Sequence, residues 1–234
     1  MSVNVPRRYL FVKHSENWNV DRCTRWMNDN QFDVDWCYPV SDDEFPDPSE
    51  YDGVLIFGGA NSANDCSCHD WVRRELVFVE KCLKQETPFF GICLGAQMLA
   101  RVLGATVRPH DNEIKEVGFC RVDPVPDQED FLASPLTVMQ WHSEGFDLPS
   151  GTQLIATGDE FPNQAYSYGK KVLGVQFHPE VNAEVLAIWH ERNKQRQPNY
   201  LTDEQRANMM RDAHTHDASV SAWLDGFLTG WTAS

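Results

Sequence analysis

Two short stretches, far apart in the chain, carry residue types that could work together in acyl transfer. In Phe89-Phe90-Gly91-Ile92-Cys93-Leu94-Gly95-Ala96-Gln97 an apolar run meets a glycine, a cysteine follows two residues on, and a second glycine comes two residues later. An apolar helical pattern then begins. This is the pattern of a sharp strand-to-helix turn that lifts one side chain above a sheet. Glycines let the backbone fold that tightly and let neighbouring segments come close. A cysteine so placed faces the amino end of the next helix, where unpaired N–H groups and the helix dipole favour thiolate over thiol. The same string also arises where a buried cysteine merely packs.

The second stretch is Gly174-Val175-Gln176-Phe177-His178-Pro179-Glu180. An apolar strand ends in a histidine, and a glutamate follows two residues on. The proline between them fixes the backbone, so both side chains can be held in a set relation. A cysteine nucleophile needs a base, and the base needs a third group to fix its tautomer and orientation. A lone His-Pro-Glu is ordinarily a turn with a solvated carboxylate. Set beside the cysteine motif, it reads as a Cys93-His178-Glu180 triad.

Together the two motifs resemble those of the class I, triad-type glutamine amidotransferases, most closely the domain found in GMP synthase and its free-standing relatives. The resemblance covers about Tyr9 to Trp189. It implies attack of Cys93 on the side-chain carboxamide of glutamine, release of ammonia, and a γ-glutamyl thioester cleaved by water. It also implies an oxyanion hole made by the backbone N–H groups of Gly59, in the turn Gly58-Gly59-Ala60, and of Leu94. Two preorganised donors are what a developing negative oxygen needs. Alone, the glycine turn would be a plain strand end.

By the same resemblance Gln97 contacts the substrate carboxamide; its other reading is a polar residue capping the turn. The segment Met139-Gln140-Trp141-His142-Ser143-Glu144 matches the one that lays backbone against the amino acid end of glutamine, so Trp141, His142, Ser143 and Glu144 are expected at the substrate. Many relatives have His-Gly where this chain has His142-Ser143, and His142 is expected to hold the loop rather than to catalyse. In synthetase-coupled relatives the triad is often kept out of register until the partner signals. The levers here would be the Gly58-Gly59-Ala60 turn and the His142-Ser143-Glu144 loop.

Composition narrows the field. With 234 residues, the chain has room for one substantial α/β domain but not for two large ones. Acidic residues outnumber basic ones, 35 to 20, for a net charge of −15. Nucleic acid and anionic membrane surfaces are therefore unexpected partners. Met1 to Arg8 lacks a sustained apolar core, so no leader is expected, and seven cysteines fit reduced thiols in the cytoplasm. Cys66, Cys68 and His69 lack a second ligand pair at structural zinc spacing, and no metal is expected. No Gly-rich phosphate loop is present, so no nucleotide cofactor is expected either.

The elements that must position these residues read as alternating strands and helices. Tyr9–Val12, Phe32–Cys37 and Gly53–Phe57 read as strands, with a helix over Trp18–Asn30 between the first two. Val72, Leu76, Val79 and Leu83 fall at helical spacing, and a helix over Ala96–Leu103 is expected to end at Gly104. This order implies a doubly wound, mostly parallel central sheet with helices on both faces. Glu116–Val122 and Leu136–Met139 read as strands of a peripheral layer. The α/β domain is expected over residues 1–190, with a helical extension, 191–234, packed on it. Within that extension His190–Asn199 reads as an exposed connection, and Val220 to Trp231 as an amphipathic helix. His214 and His216 read as solvated.

Three functions compete on this reading: a glutaminase subunit that feeds a separate synthetase, a free-standing hydrolase of another γ-glutamyl compound, and a non-catalytic regulatory or scaffold protein. The intact Cys93-His178-Glu180 set weighs against the third.

Overall fold

The computed structural model describes residues 7–15 and 19–233. Along the chain, β1 (Arg8–Val12), α1 (Arg22–Asp29), β2 (Asp33–Cys37) and β3 (Gly53–Ile56) lead to α2 (Asp70–Lys84), β4 (Phe89–Ile92) and α3 (Leu94–Val102). Shorter strands follow: β5 (Val107–Pro109), β6 (Glu116–Pro124), β7 (Leu136–His142), β8 (Glu144–Phe146), β9 (Gln153–Thr157), β10 (Ala165–Tyr168) and β11 (Val172–Val175). Two helices, α4 (Ala183–Arg196) and α5 (Asp203–Ala233), come last. The expected first helix starts at Trp18, outside the described residues; the observed one starts at Arg22.

Nine strands form one sheet in the order β2-β1-β3-β4-β11-β10-β9-β6-β7. The half from β2 to β11 is parallel and the rest antiparallel. Strand alternation sorts the apolar side chains into two cores. Tyr9, Phe11, Leu55, Phe57 and Phe90 point to the face covered by α1, α4 and α5. Leu10, Val12, Val54, Ile56 and Phe89 point to the face covered by α2 and α3. Burial on both faces is why these strands read as continuous apolar runs.

Helix ends follow local chemistry. Asp21 caps α1 by accepting from Thr24 N at 2.9 Å, and Asn182 caps α4 by accepting from Val185 N at 2.9 Å. Helix α3 ends with Gly104 at φ +87°, its N–H bonded to Arg101 O and that of Ala105 to Ala100 O. This is the paired-bond arrangement that a left-handed glycine permits.

Four expectations are corrected. Strands β6 and β7 are not a separate layer but the far end of the same sheet, where Met139 of β7 curls back to pair with His178. His190 to Arg196 is not a connection but the last turns of α4, with His190 buried and Arg192 donating to Ser15 Oγ, while Glu191 and Lys194 to Arg196 are exposed as expected. The last helix begins at Asp203, well before Val220, and its buried stripe continues N-terminally through Ala213, Met209 and Arg206. His216 stacks on Phe119 at 5.8 Å rather than standing in solvent.

Helix α5 belongs to the core it covers. Trp231 lies against Gly53, 5.6 Å from the Tyr9 ring and 6.2 Å from that of Phe90. Trp231→Ala should therefore cost about 3–5 kcal/mol of unfolding free energy in urea titration. A loss within the roughly 0.5 kcal/mol of a surface change would mean the helix end is not part of the cooperative core.

Candidate active site

Cys93 sits between β4 and α3 with φ 49° and ψ −102°, a conformation that costs a non-glycine residue strain. The surroundings hold it there. Its N–H donates to Val175 O at 2.8 Å in the neighbouring strand, and its carbonyl accepts from Gln97 N at 2.9 Å. A side chain on Gly91 would stand 2.6 Å from the Gly95 carbonyl carbon, and one on Gly95 would strike the carbonyl of Ile56 in β3. Both glycines are needed for three backbone segments to touch. Cys93 as a whole is 5% exposed.

His178 arrives from the end of β11 and is pinned twice. Its N–H donates to Met139 O at 2.8 Å, and its Nδ1 lies 2.8 Å from Glu180 Oε1. The ring and the Cys93 side chain face each other across Gly58, and Trp189 packs edge-on against the ring at 5.0 Å. Burial alone would lower its pKa; the charges of Glu180 and Cys93 and the hydrogen bond to Glu180 outweigh this and push it up to about 10.

Glu180 is fully buried, and its backbone is clamped by Arg22 at the start of α1. Arg22 N donates to Glu180 O at 2.9 Å, and the guanidinium donates to the carbonyls of Pro179 and Val181. The same guanidinium reaches Asp217 at 2.6 Å and Ser221 at 3.1 Å on α5, so the last helix is tied to the triad loop. Nearby, Lys13 and Asp21 form a fully buried ion pair at 2.7 Å, with the Lys13 ammonium over the rings of Trp36 and Phe57.

The remaining expected residues surround this centre. Gly58 faces the pair directly: a Cβ there would stand 2.6 Å from His178 Cε1 and 3.4 Å from Cys93 Cβ. Gly59 is equally close to Leu94, where a Cβ would meet Cδ2 at 2.6 Å. Gln97 spends both amide hydrogens inside the protein, on Glu144 O at 3.0 Å and Gln176 Oε1 at 3.2 Å. Its Oε1 is the side-chain atom left for other contacts among the described residues. His142 is buried and ties down the loop, with Nδ1 3.0 Å from Glu144 O and Nε2 3.0 Å from Glu116 Oε2. Trp141 points away from this loop and stacks among Trp189, His190 and Tyr200. Ser143 is exposed and Glu144 half-buried.

Sequence reasoning missed Gln176, whose Nε2 donates to Cys93 Sγ at 3.6 Å while its carbonyl accepts from Gln97. Its signal was available: a polar residue in the otherwise apolar run from Val172 to Phe177. Arg22 carried no comparable signal, because its partners are distant backbone carbonyls. In the Cys66-Cys68-His69 loop, Cys66 Sγ lies 3.1 Å from Arg101 Nη1 and His69 stacks on Trp71. Among the described residues no group of three or more potential ligands could hold a metal ion, and no helix is long and apolar enough to cross a membrane.

The chain is similar to known proteins in both sequence and fold. Residues 14–188 match the family described as glutamine amidotransferase class-I. The crystal structure of a glutamine amidotransferase from Thermotoga maritima superposes with a TM-score of 0.90 at 30% identity, covering 97% of this chain and 99% of that one. Gamma-glutamyl peptidase 5 of Arabidopsis thaliana is 29% identical over 206 residues, 79% of this chain and 80% of that protein. GMP synthase of Bacillus subtilis is 32% identical over 133 residues, 55% of this chain but 24% of that protein.

Two outcomes follow from the site's electrostatics. Burial raises the thiol pKa of Cys23, Cys37, Cys82 and Cys120, which keeps them protonated and unreactive. An electrophilic glutamine analogue should thus label Cys93 alone by peptide mapping; first labelling of Cys66 or Cys68 would contradict a uniquely placed thiol. Because the folded pKa of His178 is raised, stability from its charge is present in full below 6.5 and is lost as pH rises through about 10. Cys93→Ala removes one of the raising influences, so the ring should deprotonate at lower pH in an NMR titration. An unchanged titration would place the cause elsewhere.

Proposed function

We propose that this chain, which belongs to the class I glutamine amidotransferase family, hydrolyses the amide of a γ-glutamyl group through a thioester on Cys93. Glutamine is the simplest such substrate. The Cys93 thiolate adds to the γ-carbonyl carbon, and the oxygen takes the negative charge against the N–H groups of Gly59 and Leu94. The C–N bond then breaks, and the departing nitrogen leaves with the proton held by His178. Water, deprotonated by His178, adds to the thioester; the Cys93 sulfur leaves, and glutamate is released. Glu180 fixes the ring through Nδ1 and balances the imidazolium in both halves of the cycle. The chemistry needs Cys93 reduced, which fits a cytoplasmic setting.

The observation that carries this reading is a buried cysteine on a strained strand-to-helix turn, facing across Gly58 an imidazole that lies 2.8 Å from a buried carboxylate. A second reading has its own support. The relative named gamma-glutamyl peptidase aligns along most of both chains, whereas the match to GMP synthase spans only part of each. On that reading the leaving amine is an amino acid or peptide, and no synthetase is needed to receive ammonia.

Steady-state kinetics on the lone chain separate the cases. Release of amine from γ-glutamyl amides or peptides, lost in Cys93→Ala, is the expected result for independent action. Weak glutaminase activity that rises when an ATP-using synthetase is added would identify a subunit instead. Equal turnover by Cys93→Ala and the unmutated chain would rule out covalent catalysis at Cys93.

A further inference from the structure

Another imidazole, that of His14, lies behind the glycine turn that faces Cys93. His14, which follows β1, is nearly buried and Glu75 on α2 fully so, their side chains 5% and 0% exposed. His14 Nδ1 lies 3.0 Å from Gly58 O, and Nε2 lies 3.1 and 3.0 Å from the two oxygens of Glu75. A carbonyl and a carboxylate can only accept, so both ring nitrogens donate and the ring is an imidazolium. Burial would strip that proton, but the charge of Glu75 and hydrogen bonds to Glu75 and Gly58 outweigh it and hold the pKa above its ordinary 6.5. The ring packs against Trp71 at 5.2 Å, and a side chain on Gly59 would meet it at 3.0 Å.

The atom that His14 grips belongs to the peptide unit linking Gly58 to Gly59. In a planar trans peptide the C=O and N–H point in opposite directions, so fixing Gly58 O fixes the aim of Gly59 N–H. With glycine on both sides, no Cβ resists rotation of that unit. Its orientation therefore depends on what holds the oxygen. We propose that His14, oriented by Glu75, is a positioning residue that locks the Gly58–Gly59 peptide with its N–H toward the Leu94 and Cys93 side, preforming one of the two oxyanion donors. The proposal rests on the acyl-transfer reading above and adds to it the group that sets the geometry.

The test compares His14→Asn with His14→Gln. The Asn amide nitrogen can take the place of Nδ1 and keep the bond to Gly58 O; the Gln amide extends toward the place of Nε2 and loses it. With γ-glutamyl-p-nitroanilide, His14→Gln should lower kcat by about 10²–10³, as expected for removal of one oxyanion donor, with KM little changed. His14→Asn should retain most of kcat. Alkylation of Cys93 by iodoacetamide, a displacement that forms no oxyanion, should proceed at the unmutated rate in both. Equal losses of kcat in the two variants, or alkylation falling in step with kcat, would overturn the proposal.

If His14→Gln does not fold, the double variant His14→Phe/Glu75→Met takes its place: it removes the donor to Gly58 O and leaves no unpaired charge in the interior. It should lower kcat without slowing alkylation, and unchanged kcat would count against the lock. Should the unmutated chain fail to cleave the anilide, the acyl-transfer reading with that substrate fails, and crystal structures of the variants still decide this point. A Gly58 carbonyl rotated away from position 14 in His14→Gln but not in His14→Asn supports the lock; the same orientation in both refutes it.

Discussion

The structure depends on one close approach of backbone to backbone. At Cys93 the end of β4, the first turn of α3 and the carbonyl of Ile56 in β3 meet with no side chain between them, because Gly91 and Gly95 have none to insert. The positive φ of Cys93 is tolerable only because Val175 O and Gln97 N hold it on either side. Once that contact is made, the thiol, the amino end of α3 and the strand ending in His178 are fixed relative to one another. A methyl group at either glycine would separate them.

Around this contact the fold repeats a single device. Three buried imidazole–carboxylate pairs surround the site: His178 with Glu180, His14 with Glu75, and His142 with Glu116. The first faces the thiol. Each of the others grips one backbone carbonyl, that of Gly58 or that of Glu144, in the two segments flanking Cys93. Glu116 and His142 are direct cross-strand partners in β6 and β7, so the sheet register itself brings that pair together. A hydrogen-bonded pair of this kind is a stiff fastener when buried, since leaving either polar member unpaired in the interior is expensive.

Much of this was legible in the sequence, and what was not has physical causes. The parallel strands announced themselves as apolar runs, and Cys93, His178 and Glu180 stood out because their neighbours are glycine and proline. Glu75 was hidden within the helical stripe that carries Val72 and Val79, although a carboxylate at a core-facing position is itself a signal that a partner awaits it. That partner, His14, lies on a different element, and nothing local in either stretch names the other. The first half of α5 was missed for a related reason. Its inner face is continued by Arg206, Met209 and Ala213, and its contact with α1 is made by Asp217. Those residues bond or fill space without producing a hydrophobic pattern.

Helix α5 also sets a timetable. It is the last element of the domain to leave a ribosome, yet it closes contacts made by the first: Arg7 donates to Thr232 O across 225 residues of sequence, and Trp231 covers Tyr9. Until it has been synthesised, Phe90 lacks its ring partners Phe227 and Trp231, and contacts of such long range form only after the intervening chain is complete. The guanidinium of Arg22 likewise waits for Asp217 and Ser221. A nascent chain thus holds Cys93 and His178 before it holds the anchor that steadies Glu180.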